Sequence, residues 1–121
     1  MLAPKSPKRA FGNKGEQIAV ELLTNKGYKI IEQNFSSRFG EIDIIALDGQ
    51  TLVFVEVKTR KNLRFGLPQE AVTRQKLYRI RRTAEYYSLL HPDLPKKLRI
   101  DVVALVLSGS GLEYSKIIKV Y

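Results

Sequence analysis

Apolar residues recur along this chain at two spacings. Between Gly12 and Gly27, Ile18, Ala19, Leu22 and Leu23 fall on one helical face, and Gly27 supplies a stop. YKIIEQNF (28–35) predicts a first strand and SSRFG (36–40) a connector. Residues 41–47 and 51–58 predict two more strands, joined at Asp48-Gly49, a dipeptide that favours tight hairpins. KNLRFGLP (61–68) reads as a loop, and a second helix runs from Gln69 or Thr73 to Leu90. Leu77, Ile80, Ala84 and Tyr87 share its apolar side, and His91-Pro92 ends it. LRIDVVALVL (98–107) and LEYSKIIKV (112–120) add two strands around Gly109-Ser110-Gly111. One helix, three strands, one helix and two strands predict an α/β domain: a mixed sheet of about five strands flanked by helices.

The hairpin pattern carries an anomaly. A two-residue Asp48-Gly49 loop would pair Leu47 with Gln50, Asp43 with Phe54 and Glu41 with Glu56. Glu41, Asp43, Glu56 and Lys58 then project from one face, at the end away from the turn. The same face carries Ile45, Leu47, Leu52 and Phe54, and the other carries Ile42, Ile44, Ala46, Val53, Val55 and Val57. Strands apolar on both faces are covered on both sides, so these acids need partners. Lys58 paired with Glu56 or Asp43 is one solution. A divalent cation held by Asp43 and Glu56, with Lys58 beside it, is the other, since hard cations take carboxylate oxygens.

Composition narrows the chemistry. The 121 residues suffice for one core, and 44% apolar content fits a folded chain. There is no cysteine, which removes disulfides, thiol nucleophiles and Cys-ligated zinc and suits a reducing cytoplasm. GNKGE lacks the ending of a nucleotide-binding P-loop, and a single histidine before a proline argues against histidine or serine-triad hydrolysis. Residues 1–11 read as a basic, flexible arm without the apolar run of a signal peptide, and 12–121 as one domain. No apolar run is long enough to cross a bilayer, so a membrane is not an expected partner. Twenty-one Lys and Arg against twelve Asp and Glu give +9, which favours a polyanion such as nucleic acid.

Together, GEIDIIALD, LVFVEVKTR, GLPQEAV and RIDVVAL resemble the YraN-like family of uncharacterised bacterial proteins. That family is similar to Holliday-junction resolvases of the PD-(D/E)xK nuclease superfamily. The resemblance extends from about Phe11 to Leu107, with Ile42 where the superfamily usually has proline. It implies a restriction-endonuclease-like fold and a metal-dependent endonuclease acting on structured, branched DNA. The alternative is a nucleic-acid-binding module that keeps the fold without turnover. Asp43 and Glu56 match the metal-binding acids, Lys58 the motif lysine, and Glu16 the helix-borne glutamate; Mg²⁺ or Mn²⁺ is the implied cofactor.

Each position also has a plainer reading. Glu16 could serve the helix dipole, and Glu41 either stands behind the metal ligands or marks the start of its strand. Asp101 suits an ion pair with Arg99 or Arg60 at the rim. Arg60, Lys61, Arg64, Arg74, Lys76 and Arg79 are candidates for phosphate contact, or for a solvated basic surface. Gln75 or Lys76 could reach the acids, and Phe39 and Phe65 lie in loops where stacking on bases is open to them. A symmetric branched substrate would favour a homodimer.

Overall fold

A computed structural model describes residues 7–120. Helix α1 spans Pro7–Asn25, followed by β1 (Lys29–Ser37), β2 (Gly40–Asp48) and β3 (Thr51–Arg60). A short 3₁₀ turn, Pro68–Ala71, leads into α2 (Arg74–Leu90); β4 (Lys97–Ser108) and β5 (Gly111–Lys119) close the chain. Residues 1–6 of the basic arm lie outside the described residues. Residues 7–11, expected as part of the arm, already belong to this helix, which therefore extends beyond the expected start at Gly12.

The five strands lie in chain order, β1-β2-β3-β4-β5. All neighbours are antiparallel except β3 and β4, which run parallel. A parallel pair needs a crossover, and the loop, 3₁₀ turn and α2 provide it. Ala19 and Leu23 of α1 bury one face against Ile44, Ala46, Val53, Val55, Val103 and Leu105. Ile80, Ala84 and Tyr87 of α2 bury the other against Ile45, Leu52, Phe54 and Ile100. The sheet is thus covered on both sides, as its two-faced apolar pattern requires. This is the α/β, restriction-endonuclease-like arrangement. Among the described residues, no helix is long and apolar enough to cross a membrane.

The hairpin register differs from the expected one by two residues. Asp48 pairs with Thr51, Leu47 with Leu52 and Ile45 with Phe54, so Gly49-Gln50 forms the two-residue loop. Gly49 has φ +59°, while Gln50 is not among the positive-φ residues. A positive φ at the first loop position alone is the pattern of a type II′ turn, which favours glycine there. Placing Gly49 at that position leaves Asp48 within the strand.

Asp48 thereby joins a polar network. Arg99 donates to Asp48 Oδ2 at 2.8 Å, to Asp101 Oδ1 through Nε at 2.7 Å, and to the Tyr28 hydroxyl at 2.9 Å. Tyr28 donates to Asp101 Oδ2 at 2.6 Å. Asp101 is paired with Arg99, as its sequence neighbourhood allows, but it is fully buried rather than at a rim. Every oxygen of this buried carboxylate has a donor, so its charge is compensated. The same contacts tie β4 to the segment entering β1 and to the β2–β3 turn.

Replacing Asp101 with alanine would leave the Arg99 guanidinium only Asp48 and the Tyr28 hydroxyl, and losing one partner of a buried pair costs up to about 3–5 kcal/mol. Urea unfolding of Asp101→Ala measures it; a loss below about 1 kcal/mol would mean that the network does not secure the sheet.

Candidate active site

At the other end of the hairpin the two strands part. Their ladder runs from Asp48–Thr51 to Ile44–Val55 and goes no further. β3 nevertheless stays paired with β4 out to Arg60, and β2 with β1 out to Gly40. In the gap, the Val57 amide donates to Asp43 Oδ2 at 2.8 Å. A side chain has taken the place of a backbone carbonyl.

Next to Asp43, across the β1–β2 ladder, Asn34 adopts a left-handed φ of +55°, which asparagine tolerates better than most residues. With this kink Ile42 packs in the α2-side core alongside Ile45, which strict alternation would not allow. The four hairpin charges therefore do not share one hollow. Glu41 and Asp43 line a cavity of about 500 Å³ with Arg9, Asn13 and Glu16 of α1 and with Asn34 and Ser36 of β1. Glu56 and Lys58 line a second, of about 250 Å³, with residues 71–73, Gln75, Lys76 and Arg79. Asp43 and Glu56 meet between them.

The acids press on one another. After burial, the charge of Asp43 is the next largest influence on both Glu16 and Glu56. Neighbouring carboxylates disfavour one another's charge, and a proton or a bound cation relieves the repulsion. Burial, then the charge of Asp43, pushes Glu56 up to about 7. Burial also raises Asp43, against the opposing Val57 amide and the Lys76 charge. Glu16 is raised by burial and then by Asp43. Turned with its nitrogen toward Glu16, the Asn34 amide donates to both carboxylate oxygens at 3.2 Å.

The nearest cation to Glu56 among the described ion pairs is Lys76, at 3.8 Å. Lys58 also favours the ionised form of Glu56 but makes no ion pair within the described set. The placement of Lys76 had a signal in sequence: it precedes the buried Ile80 by four residues, and so extends the buried stripe of α2 by one turn. Thr73 caps that helix, its side chain accepting from the Lys76 amide at 3.1 Å. Asn34 had no comparable signal.

The other candidates separate. Glu16 lies in the third turn of α1, too far from Pro7 to serve the N-terminal dipole. A Cβ at Gly15 would collide with Thr59 Oγ1, so this glycine lets α1 approach β3 closely beside Glu16. Glu41 is exposed, with a long 3.5 Å contact from the Ser36 hydroxyl. Arg79 stands beside Lys76, whereas Arg74 lies with Leu77, Tyr78 and Arg81 on another flank of α2. Arg60 is half-buried at the end of β3, Arg64 is exposed, and Lys61 lies over the Phe11 ring at 5.7 Å. Phe39 is held beneath Arg38 and Arg82, at 4.9 and 5.3 Å, and against Tyr86.

The donor chemistry suits a hard divalent cation at the Asp43–Glu56 pair, where its charge would offset theirs. Among the described residues, no three Asp, Glu, His or Cys side chains enclose a common metal position. Two carboxylates are enough for a cation completed by water and phosphate.

Residues 15–105 match the model of the uncharacterised protein family UPF0102. The chain belongs to that family. A UPF0102 protein of Caldicellulosiruptor bescii is 50% identical over 104 residues, covering 85% of this chain and 87% of the relative. UPF0102 proteins of Caldicellulosiruptor saccharolyticus (46% over 101 residues, 84% and 86% covered) and Dictyoglomus thermophilum (44% over 103 residues, 85% and 87%) are similar over nearly the same extent. The UPF0102 match takes in Gly15, Glu16, both strands of the hairpin and Lys76, and so contains the acid site whole.

Glu56 is a carboxylate raised from 4.5 to about 7 on folding. Between those values the folded chain holds a proton that the unfolded chain has released, so stability falls as pH rises. Glu56→Gln, unfolded in urea with chelator present, should gain about 1–3 kcal/mol over the parent at about pH 8 and little at about pH 4.5. An equal effect at both pH values would show that the acids do not repel.

Proposed function

We propose that this UPF0102 protein is a divalent-metal-dependent endonuclease that hydrolyses phosphodiester bonds in structured DNA. The observation that carries the reading is the Asp43–Glu56 carboxylate pair, raised in pKa and flanked by Lys58 and Lys76. Carboxylates that disfavour their own charge are a poor structural choice and a good cation site. Lysines at the edge of the pair attract phosphate, while the +9 chain as a whole draws in a polyanion.

Asp43 and Glu56 would hold Mg²⁺ or Mn²⁺, which supplies Lewis acidity and lowers the pKa of water. The Val57 amide fixes the Asp43 carboxylate, and Glu16 lines the same hollow. Lys58 neutralises charge building on the phosphate, and Lys76 partly offsets the burial that disfavours the Glu56 charge. Arg79 and Arg60 extend the positive rim along the backbone of the nucleic acid.

End-labelled branched, flapped, duplex and single-stranded DNA, incubated with Mg²⁺, Mn²⁺ or EDTA, tests this. Cleavage should require metal, vanish in Glu56→Ala and fall about 10²–10³-fold in Lys58→Ala. Independently of turnover, metal at a hundred times its Kd should stabilise the parent by about 2.7 kcal/mol and leave Glu56→Ala unchanged. Binding without cleavage or metal stabilisation would identify a nucleic-acid-binding module that retains only the nuclease fold.

A further inference from the structure

The loop from Lys61 to Leu67 presents apolar side chains outward. Phe65 is 81% exposed and Leu63 51% exposed. Exposure on this scale usually accompanies a slack segment, but this one is braced. Arg64 N–H donates to Asn62 Oδ1 at 2.9 Å, and Gly66 N–H to the Leu63 carbonyl at 3.1 Å. The Leu67 amide donates to Glu70 Oε1 at 2.8 Å, anchoring the loop to the 3₁₀ turn. Gly66 closes the turn at φ +100°, where a side chain would be strained and would also crowd Glu70. A turn built this firmly holds Phe65 in water.

Position and charge say what the ring meets. The loop leaves β3 just after Glu56 and Lys58 and returns at residues 71–73, which line the same hollow. Arg60, Lys61 and Arg64 flank it. The aromatic rings that touch this segment and the turn after it are engaged: Phe11 lies beneath Lys61 at 5.7 Å, and the Tyr114 hydroxyl accepts from Gln69 at 2.9 Å. An exposed aromatic ring next to Arg64, on the loop that joins the Glu56–Lys58 strand to the far lining of its hollow, is matched by a nucleobase on its own backbone.

We infer that Phe65, backed by Leu63, is a stacking wedge that engages an unpaired or unstacked base next to the acid pair. The inference rests on the nucleic-acid reading of that site and narrows its substrate. Apolar wedges unstack base steps, and the cost is least where pairing is already interrupted. Stacking is tolerant of sequence, since every base offers a π-face, so selection is for structure. The strand cut would be one that is single-stranded or distorted within a few nucleotides of the scissile phosphate.

The chain contains no tryptophan, so Phe65→Trp installs a single reporter. It is made in the Glu56→Gln background and titrated, in EDTA, with single-stranded, junction-containing and fully paired DNA and with phosphatidylserine vesicles. Emission should be quenched by DNA, most strongly where bases are unpaired. In the same background Phe65→Ala should weaken binding to unpaired DNA about tenfold and to duplex far less. Arg64→Ala should instead lower the salt slope by about one for every DNA.

DNA binding that leaves the tryptophan unquenched, with Phe65→Ala at parental affinity, overturns the wedge even if metal-dependent cleavage is intact. Quenching by vesicles rather than DNA also overturns it and assigns the loop to an anionic membrane surface. Absence of DNA binding by any variant does so equally. Quenching by unpaired DNA without metal-dependent cleavage in the parent would uphold the wedge and refute the nuclease reading alone.

Discussion

The geometry of the acid site depends on one hydrogen bond, from the Val57 amide to Asp43. A β-ladder that ended at Ile44–Val55 would leave that amide in a partly buried position without an acceptor, a loss of about 1–3 kcal/mol. The carboxylate satisfies it and holds the parted strands at a fixed spacing. In doing so it places one of its oxygens on the backbone and leaves Asp43 beside Glu56 and Glu16. Parting the strands, seating Asp43 and bringing the acids together are one structural event. Asparagine at position 34, left-handed and adjacent, lets β1 follow the bend without losing its partner strand.

Much of this was legible in the sequence because burial writes itself into periodicity. The runs around Ile44 and Val55, apolar on both faces, required cover on both sides, and α1 and α2 provide it. An even hairpin loop was enough to bring Asp43 and Glu56 together, because either two-residue loop preserves their parity. The choice between Asp48-Gly49 and Gly49-Gln50 turns on backbone torsions that a dipeptide preference does not resolve. Nor does alternation anticipate a kink, so the division of the charges between two hollows was hidden. Lys76 could be read from its place one turn before Ile80, whereas the pairing of Tyr28 with Asp101 spans 73 residues and had no local trace.

Charged groups occur at both ends of the same strands, and their contrast separates support from chemistry. At the turn end, Arg99 satisfies Asp48 and Asp101 at once, and Tyr28 completes the set. Those hydrogen bonds hold the Arg99 guanidinium firmly protonated. At the open end compensation is weaker, and burial raises Glu56 to about 7. A sequence under pressure for stability alone would move the second group toward the first, by adding a fully engaged cation or removing an acid. Lys76 does not achieve this: it is nearly half exposed and stands 3.8 Å from Glu56, close enough to temper the charge but not to bind it tightly.

That incomplete pairing is what the proposed cation site, set beside a phosphate, would require. A lysine locked onto Glu56 would occupy the position of a metal ion, and an arginine fork there would hold the carboxylate bidentately and close it. A solvated ammonium on a long stem can instead move from carboxylate to phosphate as the ligand enters, without leaving either charge buried and alone. The fully compensated turn end makes this tolerable, because the register of β2, β3 and β4 is secured there rather than at the site. The sheet thus concentrates its ionic order at one end and its electrostatic frustration at the other, and the stable network lets the carboxylate pair stay incompletely satisfied.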